Sequence, residues 1–140
     1  MLRDHAPKFA RLNRIENSVG DGVPDVNICC NGLECWVEIK IGSVRRNPEQ
    51  PIFDKKYGVT VEQINWHINQ RQAGGASYLL IRIADELYLI AGSEAGVINL
   101  WTLSDFRRGS MMWAKVPVGQ AFWDAFWAVL GGVPSSGPSP

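Results

Sequence analysis

An α/β domain built on a mixed sheet of four or five strands is what this sequence of 140 residues predicts. Three observations carry that prediction. Asn31-Gly32 separates two stretches of alternating apolar residues, the pattern of a tight hairpin. A helical stretch opening at Thr60 and ending at Gly74-Gly75 follows it. Two more apolar strands come directly afterwards, so the helix is read as a crossover between strands.

Composition narrows the functional classes. At this length roughly two-thirds of the unfolded surface is buried on folding, enough for a core without covalent staples. The chain is 46% hydrophobic and 20% charged, and its 14 basic residues balance its 14 acidic ones. A histone-like polycation is excluded, and an anionic partner must be held by a local patch. Six Trp, five Phe and three Tyr exclude a largely disordered chain. No apolar run approaches the roughly 18 residues of a membrane span, and Arg3 and Asp4 open a stretch without a signal-peptide core. Cys29, Cys30 and Cys35 have neither disulfide-framework nor CxxC spacing, so they are expected to be reduced strand residues in a cytoplasmic protein.

Taken in order, residues 7–19 carry Phe9, Leu12, Glu16 and Val19 at helical spacing, with Lys8, Arg11 and Arg14 around them. A helix is expected there, stopped by Gly20 and Gly22. In the hairpin, Asn31-Gly32 as a type I′ turn puts Val26, Ile28, Cys30, Leu33, Cys35, Val37 and Ile39 on one face. Asp25, Asn27, Cys29, Glu34, Trp36, Glu38 and Lys40 fall on the other. A slip of one residue would mix the faces, so the pattern fixes the register. Residues 41–59 read as a loop with Arg45, Arg46, Lys55 and Lys56, and residues 60–73 as a helix. Strands are expected at 77–83 and 86–91. Residues 92–117 leave alternatives open, among them a strand over 97–102 and a short turn or helix over 105–108. A last helix over 120–130 carries Phe122, Trp123, Phe126, Trp127 and Leu130 as a wide apolar stripe. The expected organisation is a core over 1–92, an extension over 93–130 packed on it or forming a dimer interface, and a Gly/Pro/Ser tail over 131–140.

The polar hairpin face holds the chemistry. In that register Asp25 stands opposite Glu38, with Cβ atoms about 5 Å apart, and Lys40 points the same way. Two ionised carboxylates at that distance repel by roughly 3 kcal/mol at an effective dielectric near 20. Lys40 alone cannot neutralise both. Either one carboxylate has a raised pKa, or a divalent cation held by hard oxygen ligands sits between them.

Gly22-Val23-Pro24-Asp25, then Glu38-Ile39-Lys40 after twelve residues, resembles the PD-(D/E)XK nuclease signature. With Gln63-Ile64-Asn65-Trp66, Gly74-Gly75 and the following strand, it is similar to the VRR-Nuc branch, whose stand-alone phage and bacterial members are related to Holliday junction resolvases. The resemblance spans residues 15–83. It implies a restriction-endonuclease-like core, a Mg²⁺ or Mn²⁺ cofactor, and endonucleolytic hydrolysis of DNA, with branched, junction-like DNA preferred. Asp25, Glu38 and the backbone carbonyl of Ile39 would hold the metal, and Glu16 would add a ligand. Lys40 would orient or help deprotonate the attacking water, and Gln63 would help position water or the lysine. A homodimer is implied too, with the helix over 120–130 as candidate interface, in a cytoplasm that is the host's if the chain is phage-encoded.

Each residue also has a plainer reading. Gln63 lies three residues after Thr60 and fits a capping box. Glu16 fits a solvated helix residue, and Trp36 fits packing under a helix. Arg45, Arg46, Lys55 and Lys56 beside the site, with Arg11 and Arg14, are expected to meet DNA phosphates. The alternative functions are a sequence-specific, restriction-like endonuclease and a catalytically silent DNA-binding subunit on the same fold. A structural phage protein is a third.

Overall fold

A computed structural model describes residues 11–14, 22–30, 32–53, 58–116 and 119–131. These residues form six strands and three α-helices: β1 (Arg11–Arg14), β2 (Val26–Cys30), β3 (Leu33–Gly42), α1 (Val61–Gln72), β4 (Ser77–Ile83), β5 (Glu86–Ala91), α2 (Leu103–Gly109), β6 (Met112–Lys115) and α3 (Gln120–Gly131). The strands make one sheet in chain order, β1-β2-β3-β4-β5-β6. Every neighbouring pair is antiparallel except β3 and β4, which α1 joins in parallel. This is the mixed α/β sheet the sequence predicts, with six strands where four or five were expected.

The hairpin register is the predicted one. Val26 pairs with Val37, Ile28 with Cys35 and Cys30 with Leu33. Its apolar face, with Ile28, Cys35 and Val37 fully buried, joins Tyr78, Leu80, Leu87 and Leu89 in a core covered by α3. Phe122, Trp123, Phe126 and Trp127, one turn apart in pairs, bury themselves in that core. Each such aromatic contributes roughly 2–3 kcal/mol of apolar burial. The four aromatics of this stripe, for which packing on the core and a dimer interface were both expected, are thus buried against the sheet of their own chain.

The opposite face packs Leu79, Ile81, Ile83, Tyr88 and Ile90 against Ile52, Phe53, Val59, Ile98 and Phe106. Over it lie α1 and α2. α1 is capped as its sequence predicts: Thr60 Oγ1 accepts from Gln63 N, and Thr60 N donates to Gln63 Oε1. Its buried His67 shares a 2.9 Å hydrogen bond between Nδ1 and Ser77 Oγ. Burial, helped by the charge of Arg71, lowers the His67 pKa to about 4.

Two expectations are corrected. A helix was expected over residues 7–19, but the described part of that stretch, Arg11–Arg14, is strand β1, with Leu12 opposite Ile28. Arg11, Leu12 and Asn13 alternate exposed, buried and exposed, a period of two. Pairing along the open edge of β2 supplies hydrogen bonds that outweigh local helical spacing. The strand allowed over 97–102 is instead a 3₁₀ turn, Ile98–Leu100, followed by the capped helix α2. There Thr102 and Asp105 cap each other, which ends extended structure at that point. Beyond Gly131, the expected tail lies outside the described residues.

Candidate functional site

The site forms where β2 begins and the middle of β3 passes beside it. Pro24 is buried and Asp25 half-buried just before β2. Asp25 Oδ2 accepts a 2.9 Å hydrogen bond from Ile39 N. The β2–β3 register, continued one residue past Val26 and Val37, sets Asp25 beside Glu38. Glu38 is 1% exposed, in parallel pairing with Leu79 of β4, and Lys40 follows on the same face opposite Ile81.

Glu38 is the electrostatic centre. Burial pushes its pKa from the usual carboxylic-acid range up to about 9, and hydrogen bonding with the Asp25 side chain and the Asp25 charge push the same way. The Lys40 charge and a hydrogen bond with the Asp25 backbone oppose them. At neutral pH the isolated site therefore keeps Glu38 protonated, the first of the two outcomes that the carboxylate spacing leaves open. Glu38 Oε1 is buried with no hydrogen-bond partner. An orphaned carboxyl oxygen in a buried site costs about 1–3 kcal/mol, a cost that a cation bound there would relieve. Two converging carboxylates with an unsatisfied hard oxygen fit a divalent cation. Among the described residues no group of three or more His, Cys, Asp or Glu side chains is placed to hold a metal ion, so there the candidate side-chain donors are these two acids.

The start of α1 closes one side. Gly22 has φ +82° and lies against the Glu62 carbonyl, where a Cβ would collide with backbone. Only glycine accepts that conformation and that approach without strain. The Gly22–Asp25 segment thereby rests on the first turn of α1, the turn that carries Gln63. The Gln63 carbonyl oxygen is engaged in the capping box, so its structural role is present in the fold. Trp36 packs edge-on against Trp66 of α1, with ring centroids 5.5 Å apart, as its helix-packing reading expects.

The basic residues divide. Arg11 is exposed and pairs with Cys29, which places it on the sheet face of Glu38 and Lys40. Arg45, half-buried, and Arg46, exposed, follow the end of β3. Arg14 stands opposite Val26 at the end of β1. Glu16, Lys55 and Lys56 lie outside the described residues. Sequence reading passes over Asn99, whose side chain grips the backbone just before α1; residues 92–117 carry no periodic signal that could have singled it out.

No family model matches the chain, and no curated protein matches it. Among solved structures it is similar to Hjc, a Holliday junction resolvase from the archaeal hyperthermophile Archaeoglobus fulgidus. The two are 15% identical over 72% of this chain and 80% of that chain, with a TM-score of 0.48. At that identity and score the likeness carries no argument about activity. No helix among the described residues is long and apolar enough to cross a membrane.

Proposed function

We propose that the chain is a metal-dependent endonuclease of restriction-endonuclease-like build that hydrolyses DNA phosphodiester bonds at the Asp25–Glu38–Lys40 cluster. The observation that carries this reading is the buried, unpartnered Glu38 Oε1 beside Asp25, with a lysine two residues along the same strand face. Asp25 and Glu38 would hold Mg²⁺ or Mn²⁺, with the Ile39 carbonyl and Glu16 as further ligands implied by the motif. When bound, the cation supplies Lewis-acid stabilisation of phosphoryl charge and lowers the pKa of bound water.

The chain's own residues do the rest. Asp25 is oriented by the Ile39 amide, which leaves its second oxygen for the site. Glu38 would release its proton to solvent on serving as a ligand, because only the carboxylate coordinates well. Lys40 brings a positive charge to the same face, suited to a scissile phosphate and to orienting the attacking water. Gln63 caps the first turn of α1, on which Gly22 rests, and is proposed to help position water or Lys40. Arg11, Arg45 and Arg46, with Arg14, Lys55 and Lys56, are proposed to contact DNA phosphates, which sets register and affinity rather than sequence. Preference for branched DNA and assembly as a homodimer follow from the motif resemblance. That dimer needs a surface other than the buried stripe of α3.

Cleavage of a labelled four-way junction and a matched linear duplex, each with Mg²⁺, Mn²⁺ or EDTA, tests the proposal. Metal-dependent cutting of the junction alone supports the full reading. Cutting of both keeps the chemistry and removes the branch preference. No cutting by folded protein that still binds DNA turns the reading to a silent binding subunit.

A further inference from the structure

We propose that Asn99 is a positioning residue for the carboxylate site, a role that rests on the nuclease reading and deepens it. Its carboxamide grips the backbone of Val59, 40 residues earlier, through both polar groups. Asn99 Oδ1 accepts from Val59 N at 2.8 Å, and Asn99 Nδ2 donates to the Val59 carbonyl at 2.8 Å. A planar amide with one acceptor and one donor side by side satisfies a backbone N–H and C=O together. Gly58 makes room for it, since a Cβ there would run into the Asn99 carboxamide.

The grip acts at a decisive place. Val59 is buried, and the next residue, Thr60, is the N-cap of α1. The first turn of α1 presents the Glu62 carbonyl on which Gly22 rests, and Asp25 lies three residues beyond Gly22. Asn99 thus fixes the helix start, the helix start fixes Gly22, and Gly22 fixes the approach of Asp25 to Ile39. The same turn also reaches the far strand. Ile52 N donates to the Trp101 carbonyl at 2.9 Å, and Ile52 packs against Gly42 at the end of the strand bearing Glu38 and Lys40. One 3₁₀ turn, remote in sequence from the motif, anchors both the strand and the helix around the site.

Two readouts test this on the full chain: hydrogen exchange of the Ile39 amide in metal-free protein, and Mn²⁺ affinity by calorimetry. Asn99→Ala removes the clamp, Gly58→Ala displaces it from the other side, and Leu100→Ala alters an exposed neighbour as control. The expected result is faster exchange at Ile39, with Val37 in the adjoining ladder unchanged, for both clamp variants. Mn²⁺ affinity falls on the order of tenfold in each, as for loss of an outer partner of a ligand. The double variant should be no worse than either single one, and Leu100→Ala should match wild type. If Asn99→Ala does not fold, Asn99→Asp, which keeps the acceptor and loses the donor, replaces it. Lower melting temperatures with Ile39 exchange and Mn²⁺ affinity unchanged would overturn the proposal and leave Asn99 a stabilising residue. A wild-type protein that binds no Mn²⁺ instead removes the nuclease reading. Ile39 exchange then decides alone whether the clamp reaches Asp25.

Discussion

Asp25 Oδ2 takes its hydrogen bond from the backbone nitrogen of Ile39, 2.9 Å away, and so the Asp25 carboxylate is oriented by the strand that carries its neighbour Glu38. The bond crosses from the residue before β2 to the middle of β3. It joins the two halves of the motif through backbone, without requiring either acid to be charged.

That relationship separates fold from chemistry at Asp25. In Asp25→Asn the amide oxygen can still accept from Ile39, so the melting temperature should stay within a few degrees of wild type. The negative charge that the proposed cation would need is lost. Mn²⁺ affinity should fall by roughly 10- to 100-fold or more, and cleavage with it. Calorimetric titration beside a melting curve checks both.

Glu38 makes the metal-free protein sensitive to pH. Its folded pKa is raised to about 9, whereas an unfolded Glu titrates near 4.5. Between those values the native state holds a proton that the unfolded chain has released. Stability therefore falls as pH rises through this window, by at most about 1.4 kcal/mol per pH unit. In EDTA, Glu38→Gln should be more stable than wild type at pH 8, and the two should converge near pH 4–5. Melting curves across pH 4–9 read the difference directly.

Lys40 should affect turnover rather than metal binding. On the proposed reading, Lys40→Ala would remove charge stabilisation in the transition state, an effect typically worth about 10²–10³ in rate. The carboxylate pair remains, so Mn²⁺ should still raise the melting temperature of the variant. Loss of that metal-dependent stabilisation in Lys40→Ala would make the lysine a structural partner of Glu38 instead.

Gly22 and Gly32 offer an internal comparison. Both have positive φ, but a Cβ at Gly22 meets the Glu62 backbone while one at Gly32 meets open space. Gly32→Ala should cost about 1 kcal/mol, and Gly22→Ala about 1–3 kcal/mol or more. At about 3 °C per kcal/mol, differential scanning calorimetry separates them. Only Gly22→Ala should also weaken Mn²⁺ binding.

The parts of the fold that repeat a local rule were legible in the sequence. Asn31-Gly32 with strict alternation specifies the β2–β3 register, which in turn puts Asp25 beside Glu38. Thr60 and Gln63 announce the start of α1, and the strands at Ser77–Ile83 and Glu86–Ala91 fall where apolar runs predict them. What stayed hidden depends on distant partners. β1 has four residues, and its strand state follows from the open edge of β2 rather than from Arg11–Arg14 themselves. The apolar stripe of α3 is plain in sequence, but nothing local says that it faces the sheet and not another subunit. Asn99 acts across 40 residues, and a lone asparagine in a segment of turns gives no periodic signal.

Every proposed role at the site depends on Asp25 and Glu38 together binding a divalent cation. Isothermal titration of the protein with Mn²⁺ at pH 7.5, in two buffers of different ionisation enthalpy, measures binding and proton release together. Saturable binding with release of about one proton from Glu38 is expected, and loss of that proton release in Glu38→Gln. No binding by the wild-type protein, or binding undiminished in both Asp25→Asn and Glu38→Gln, would rule out a cation site shared by the two acids.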